Sequence, residues 1–519
     1  MGVISWINNL FKIHLKKYEA ELAEHYAHPE KLQADTLRQI LRENAGTAIF
    51  KEHHLRSDAS PATYAQRMPV RTYEEIQPYI NRILAGENQV LTRQKVTALA
   101  KTAATTQKTS KYLPVTREHI LSCQKGSWFT LTSLHLHRQD MQIFARKNML
   151  IGGGSYGNYP GTNMELADIS ALMIRSIPLM LRTFYLPDVY TATLPNYEEK
   201  IRKIAKIAAN EPSLTMLGGV PTWNLALYRQ VLAEKNASHL LEVWPNLQAY
   251  VHGGVSFAPY REHYEALIPS SDFLYHEIYN ASEGYFAVQD QLDKDDMILI
   301  LNNGIYYEFI PFDELHRGGE SAVPLEEVQT GILYAMVITN ISGLYRYLLG
   351  DVVRFTSVHP YRIKIEGRTQ EFINAFGEDL LLNNVQQALL ATCADFEVKI
   401  KDYSIAPFYM KVNQKGRHQW FIEFAGALPP LATFTQALDE TMQGCNSNYA
   451  QKRTNDFAIT RLEIIPLPTG FFQQWLRDRG KVGGQAKVPK LANHRQFAED
   501  ILVRLKKQKQ KQKFEQQNR

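Results

Sequence analysis

Four short segments hold the residue types that nucleotide chemistry asks for. In HEIYNASEGYF a strand-sized run ends at Tyr279, and Ser282, Glu283 and Gly284 follow as a turn. A phenol can lie flat on a purine. A hydroxyl two residues before a glycine can donate to a phosphate oxygen. A carboxylate beside it can hold Mg²⁺, a hard cation that prefers oxygen ligands. Alone, the segment also reads as an ordinary β-turn with a surface glutamate. In GLYRYLLGDVVRF, Asp351 follows a glycine at the start of another strand-like run, where a carboxylate can accept both hydroxyls of a ribose. EGRTQEF sets Arg368 beside Gly367, and GGQAKVPK holds Lys487 between glycines and a proline, a setting that presents an ammonium to an anion.

Other motifs carry less. IGGGSYGNYPG contains GxGxxG at Gly152, Gly154 and Gly157, but Asn158 and Pro160 follow where a dinucleotide fingerprint needs a helix to open. It reads as a glycine-rich turn. There is no GxxxxGK[ST], and the histidine pairs His53/His54 and His135/His137 lack an HExxH context. Cys123, Cys393 and Cys445 are odd in number and far apart, which suggests neither a disulfide framework nor a CxxC metal site. A reducing, cytoplasmic setting is expected.

The elements that must position these residues are legible in outline. A chain of 519 residues is too long for one ordinary domain. Its 45% hydrophobic and 21% charged residues are globular values. The net charge of +5 is a weak bias at this length and makes no case for nucleic acid. No run of about 18 apolar residues occurs, so no membrane span is expected. Residues 1–90 read as helices, with the first twenty an amphipathic helix packing on the body. From about 95 to 365, short apolar runs open into glycine or proline turns (MLIGGG, LTMLGGVP, LQAYVHGGVSF), with helical stretches such as NYEEKIRKIAKIAANEP between them. This alternation predicts an α/β fold. After Gly367 a smaller α+β pattern begins. The expected domains are 1–366, 367–505 and a basic, disordered tail over 506–519.

The order YNASEG, YRYLLGDVV, EGR and GGQAKVP resembles the adenylate-forming superfamily of firefly luciferase and the acyl-CoA synthetases. AGTAIFKEHH, KYLPVT, GGVPTW, HGGVSFAPY, GIYYEFIP and CNSNYAQKR bring it closer to the auxin-responsive acyl acid amido synthetases of plants and their bacterial relatives. Each segment is weak; their joint order is specific and spans nearly the whole chain. The resemblance implies a large N-terminal α/β domain and a small, mobile C-terminal lid with the site between them. The implied reaction has two steps. A carboxylic acid attacks the α-phosphate of Mg-ATP to give an acyl-adenylate and pyrophosphate, and an amino acid amine then takes the acyl group and releases AMP. It implies that Lys487 offsets charge on the pyrophosphate, Glu283 holds Mg²⁺, Ser282 touches the α-phosphate and Tyr279 covers the adenine. Gly253 and Gly254 would let backbone approach the other side of the base, Asp351 would hold the ribose, and Arg368 would assist at the hinge. A monomer without nucleic-acid or membrane partners is expected.

One departure matters. The family's phosphate loop usually reads Ser-Ser-Gly-Thr-Thr; here AKTAATTQKTSKYLPVT keeps Thr105, Thr106 and Lys111 but has Ala103 for a hydroxyl and Ala104 for a glycine. Alanine in a left-handed turn costs roughly 1–2 kcal/mol, and a lost hydroxyl bond to a charged group roughly 1.5–3 kcal/mol. Together these amount to about two to three decades of affinity or rate. The readings in play are an amide-forming ligase with reduced or altered ATP handling, a weak or inactive nucleotide- or acid-binding homologue, and an acyl-CoA ligase. The acid pocket is expected within 121–185 and 215–225, where Trp128, Phe129, Tyr156, Phe184 and Trp223 are lining or core residues and Arg175 and Arg182 steer a carboxylate or face water.

Overall fold

The computed structural model describes residues 2–102, 111–254, 257, 260–316, 321–369, 372–378, 380–410, 414–456, 458–479 and 488–517. The expectations at Ala103, Ala104, Thr105, Thr106 and Lys487 lie outside them. The described residues divide into two compact units. One takes residues up to 257 and 264–369; the other takes 260–263 and those from 372 onward.

The first unit begins with five helices between Gly2 and Leu84. The leading helix, Gly2–Ala27, buries Leu15, Tyr18 and Leu22. Its Phe11 stacks on Phe144 with ring centroids 3.7 Å apart. Tyr73–Leu84 starts at a capping box, in which the Thr72 N–H donates to Glu75 Oε2 at 2.7 Å. Just before it, extended backbone is latched to the strand region that will carry Asp351. Arg71 N–H donates to the Arg346 carbonyl at 2.9 Å, and Leu348 N–H to the Arg71 carbonyl at 2.8 Å. The Arg346 side chain donates to the carbonyls of Ala65 and Met68 and, at 3.0 Å, to the buried carboxylate of Glu308.

Strands β1 (Ala98–Thr102), β2 (Lys111–Val115), β3 (Lys147–Leu150), β4 (Ser155–Asn158) and β5 (Glu165–Ala167) follow. All but β3 form a small sheet ordered β2-β1-β5-β4. Next come β6 (Tyr185–Leu186), β7 (Leu214–Gly218), β8 (Ala249–His252) and β9 (Leu274–Ala281). After them run β10 (Gly284–Val288), β11 (Met297–Leu299), β12 (Ile305–Pro311), β13 (Val323–Pro324), β14 (Leu333–Asn340), β15 (Tyr347–Val358) and β16 (Tyr361–Arg368). With β3 these make a sheet of twelve strands, ordered β13-β12-β14-β15-β16-β11-β10-β9-β8-β7-β3-β6. Pairing is parallel from β6 to β9 and antiparallel from β9 to β13. The fold is α/β, as expected. The glycine runs after β3, β7 and β8 and the turn after β9 all leave the carboxyl edge of the parallel strands, where open α/β sheets bind ligands.

The second unit holds an antiparallel pair, β17 (Phe372–Ile373) with β18 (Leu380–Leu381), and a sheet of β19 (Ile400–Phe408), β20 (Arg417–Phe424) and β21 (Glu463–Leu467). Phe421, Phe471, Phe472, Trp475 and Ile501 form one of its cores. Two expectations change. β16 runs through Gly367 and Arg368, so both are strand residues of the first unit. The helix Gln496–Gln517 continues through most of the tail expected to be disordered. Buried Ile501 and Leu505 anchor it, and the lysines and glutamines beyond them are good helix formers.

Arg346→Met strands the Glu308 carboxylate away from water. Stability of the first unit should fall by about 3–5 kcal/mol, read as a lower urea midpoint with an unchanged slope. Adding Glu308→Leu should return part of the loss. A midpoint that Arg346→Met does not move would show that the pair contributes nothing.

Candidate active site at the carboxyl edge of β9

Asp351 sits near the start of β15, and its Cα partner across the ladder is Arg368 on β16. That register puts Arg368 Nε 2.7 Å from Asp351 Oδ1. The other oxygen, Oδ2, accepts the Tyr279 hydroxyl at 2.6 Å. Tyr279 is 5% exposed, and its ring lies 4.8 Å from that of Phe286. Burial and the Asp351 carboxylate push its hydroxyl well above the usual tyrosine range. Three of the expected site residues therefore form one hydrogen-bonded group.

Glu283 occupies the turn between β9 and β10 and is buried. Burial raises its carboxyl pKa; Lys111 and Arg368 oppose that rise, and Asp351 adds to it. Lys111 opens β2, where burial lowers its ammonium pKa and Glu283 is the first group opposing the shift. Its Nζ lies 3.4 Å from the Tyr347 hydroxyl and 5.2 Å from the centroid of the Tyr73 ring. Neither Tyr73 nor Tyr347 stands out in the sequence. Tyr347 lies inside the YRYLLGDVV segment, but only the latch between Arg71 and Arg346 brings Tyr73 to it.

Gly253 and Gly254 follow β8 beside the same region. A Cβ on Gly253 would meet the Ile278 carbonyl at 2.5 Å, one residue before Tyr279. Gly254 has φ +81°, which a side chain disfavours. Ser282 shares the turn with Glu283. Among the described residues no group of three or more His, Cys, Asp or Glu side chains is placed to hold a metal. A single buried carboxylate suits Mg²⁺, which keeps waters and takes phosphate oxygens as its other ligands.

Several candidate lining residues have other partners. Trp128 stacks on Tyr18 at 5.9 Å, and Phe129 is fully buried edge-on to Tyr18 and His25, so both belong to the seat of the first helix. Arg175 pairs with Glu165 at 3.1 Å. Arg182 donates to the carbonyls of Ile177 and Arg175. Tyr156 donates to Asp168 at 3.1 Å. Trp223 lies 5.8 Å from Tyr197, and Phe184 is half-buried.

The glycine-rich turn at Gly152–Gly154 is held by side chains. Gly153 N–H donates to Ser170 Oγ and Gly154 N–H to Asp168 Oδ2, so these donors are already used. β4 follows it, where a dinucleotide fold needs a helix. The buried Lys200 donates to the carbonyls of Gly152 and Gly153 at 2.8 and 2.9 Å. Burial lowers its pKa from 10.5 to about 8, against the pull of Asp168. Between those values the unfolded chain keeps a proton that the folded chain has released, so stability rises with pH across the window. Lys200→Met should lose that rise. Unfolding free energies of the two proteins from urea titrations should diverge across the window by up to about 3 kcal/mol. Parallel pH profiles would show that Lys200 titrates normally.

Residues 19–153 and 156–273 match the GH3 family N-terminal domain, 298–368 its central domain and 383–496 its C-terminal domain. Jasmonoyl–L-amino acid synthetase JAR6 of Nicotiana attenuata is 24% identical, over 89% of this chain and 90% of that protein. Indole-3-acetic acid-amido synthetase GH3.4 of Arabidopsis thaliana is 22% identical, over 89% of each. Among solved structures, AtGH3.15 acyl acid amido synthetase in complex with 2,4-DB superposes with a TM-score of 0.62 at 18% identity, covering 94% of this chain and 96% of that one. A 2-hydroxyisobutyryl-CoA ligase in complex with 2-HIB-AMP and CoA gives 0.57 at 12% identity, covering 94% of each. At these identities the structures speak for the fold, while the sequence matches cover most of the chain: this protein belongs to the GH3 family.

Proposed function

We propose that this chain is an ATP-dependent acyl acid amido synthetase, joining a small carboxylic acid to an amino acid. The observation that supports it is the grouping of Tyr279, Glu283, Asp351 and Arg368 at the carboxyl edge of β9, in a chain of this family. In the first half-reaction a carboxylate oxygen of the acid forms a bond to the α-phosphorus. The bond from that phosphorus to the bridging oxygen breaks, and pyrophosphate leaves with the electron pair. In the second half-reaction the amine nitrogen bonds to the acyl carbon, the carbon–oxygen bond to AMP breaks, and the nitrogen gives up a proton.

The residues divide the work by charge. Asp351 accepts from the ribose hydroxyls while Arg368, 2.7 Å away, keeps it oriented. Tyr279 and the Gly253–Gly254 backbone flank the adenine. Ser282 donates to the α-phosphate, and the ammonium of Lys111 faces phosphate charge. Glu283 would hold Mg²⁺ brought with ATP, and the cation would supply charge neutralisation between the approaching anions. Thr105, Thr106 and Lys487 are assigned to the phosphates by the family pattern. Where two anions must meet, charge already held in place does more to lower the barrier than any other feature of a site.

ATP–pyrophosphate exchange across a panel of acids tests the first step. Glu283→Gln and Asp351→Asn should each lower it by about a hundredfold or more. Ala103→Ser with Ala104→Gly should raise it. Exchange that stays at background for the restored-loop variant with every acid would favour a binding protein without turnover, the reading that the two alanines support. Supplying amino acids or CoA to the preformed adenylate separates the second step: an amide product is expected, and a thioester would reassign the chain to acyl-CoA ligation.

A further inference from the structure

Ser282 and Glu283 are a two-residue connection between β9 and β10, whose register pairs Ala281 with Gly284. Two-residue hairpins favour type I′ or II′ turns because these match the twist of their strands, and both need a positive φ at the first central residue. Neither Ser282 nor Glu283 has one. The ladder also shifts register between Tyr285 and Ala287, immediately after the turn. A hairpin in this conformation is not fixed by its own strands.

It is held from two other elements. In the helix Arg117–His137, His119 lies with Nε2 3.1 Å from the Ser282 carbonyl. The partner is an acceptor, so the ring proton is on Nε2, and burial keeps the imidazole neutral by lowering its pKa to about 4. At the end of β14, Asn340 Nδ2 donates to the Glu283 carbonyl at 2.8 Å. The amide cannot turn over, because its Oδ1 accepts the N–H groups of Ser342 and Leu344 at 3.0 and 3.1 Å. The two holds are joined. Thr116 Oγ1 caps the helix by accepting the His119 N–H and lies 3.2 Å from Ser342 Oγ. Both carbonyls of the turn are thus tied, and the side chains of Ser282 and Glu283 are left for another task.

We infer that His119 and Asn340 are positioning residues, which fix the Ser282–Glu283 backbone so that its hydroxyl and carboxylate are aimed at a Mg-nucleotide. The inference rests on the nucleotide role proposed for Glu283. It assigns work to two residues that touch no substrate, and it accounts for a hairpin held against its own preference.

The test uses the full chain with His119→Leu, His119→Gln and Asn340→Asp. The glutamine carries a donor near the position of Nε2. The aspartate keeps the Oδ1 acceptor and turns an oxygen toward the Glu283 carbonyl. Amide hydrogen exchange without nucleotide should rise about tenfold over residues 282–285 in the leucine and aspartate variants and stay near wild type in the glutamine variant. Calorimetry should show Mg-ATP binding weakened about tenfold in the same two variants, with adenosine binding, which depends on Asp351 and Tyr279, unchanged. Unchanged exchange in both variants overturns the inference. So does an equal loss of Mg-ATP and adenosine binding, which would mark a merely structural role. If His119→Leu does not fold, the near-isosteric Asn340→Asp decides. A wild-type chain that binds neither ligand would defeat the proposed function and the inference with it, whereas equal binding of Mg-ATP by wild type and variants would defeat the inference alone.

Discussion

A carboxylate withdrawn from water costs several kcal/mol unless a cation and donors replace its hydration. Asp351, 6% exposed, obtains both: Arg368 on one oxygen and the Tyr279 hydroxyl on the other. This contact constrains the whole first unit. In the sheet order, β16, β11 and β10 lie between β15 and β9. Four inter-strand steps of roughly 4.8 Å come to about 19 Å, farther than a tyrosine reaches. The 2.6 Å bond therefore requires the sheet to curl, so that β9 faces β15 across its inner side. The Tyr279 hydroxyl also lies 3.5 Å from Met336 Sδ of β14, a contact that the same curl explains.

The curl has a second effect. It brings the turn after β9 toward Lys111 at the start of β2, a strand of the other sheet. Glu283 and Lys111 are each disfavoured by burial in their charged forms, and each is the other's leading compensation. Such a pair is a poor source of stability. Under the proposed function the pair would receive a phosphate chain with its cation, the carboxylate holding the metal and the ammonium the phosphate, and both would recover what burial removes.

The supports are arranged to suit. The latch between Arg71 and Arg346 fixes the backbone entering β15, and the Glu308–Arg346 pair anchors the latch beneath it. His119 and Asn340 fix the turn after β9. Charged side chains at the site are therefore carried on strands or on a tied turn, and groups held this firmly reduce the reorganisation that catalysis must otherwise supply.

Much of this was legible in the chain. Strand-sized runs ending in glycine pointed to strand ends, and Tyr279, Glu283, Asp351 and Arg368 stood out through the joint order of their segments, since each segment alone also reads as an ordinary turn or strand. Those signals are local: a turn, a period, a residue type. The rest depends on contacts between residues far apart in sequence. In sequence Trp128 and Phe129 read equally as pocket lining or core, and the packing of the first helix shows which: both seat that helix. Tyr73 and Tyr347 meet Lys111, and His119 meets Ser282, through the curl of one sheet and the docking of one helix. Reading along the chain is enough to name candidate groups for a site, because residue type and local period are written one residue after another. Which group answers which charge was settled by the folded packing alone, because burial and distance belong to pairs that the chain brings together from positions far apart along it.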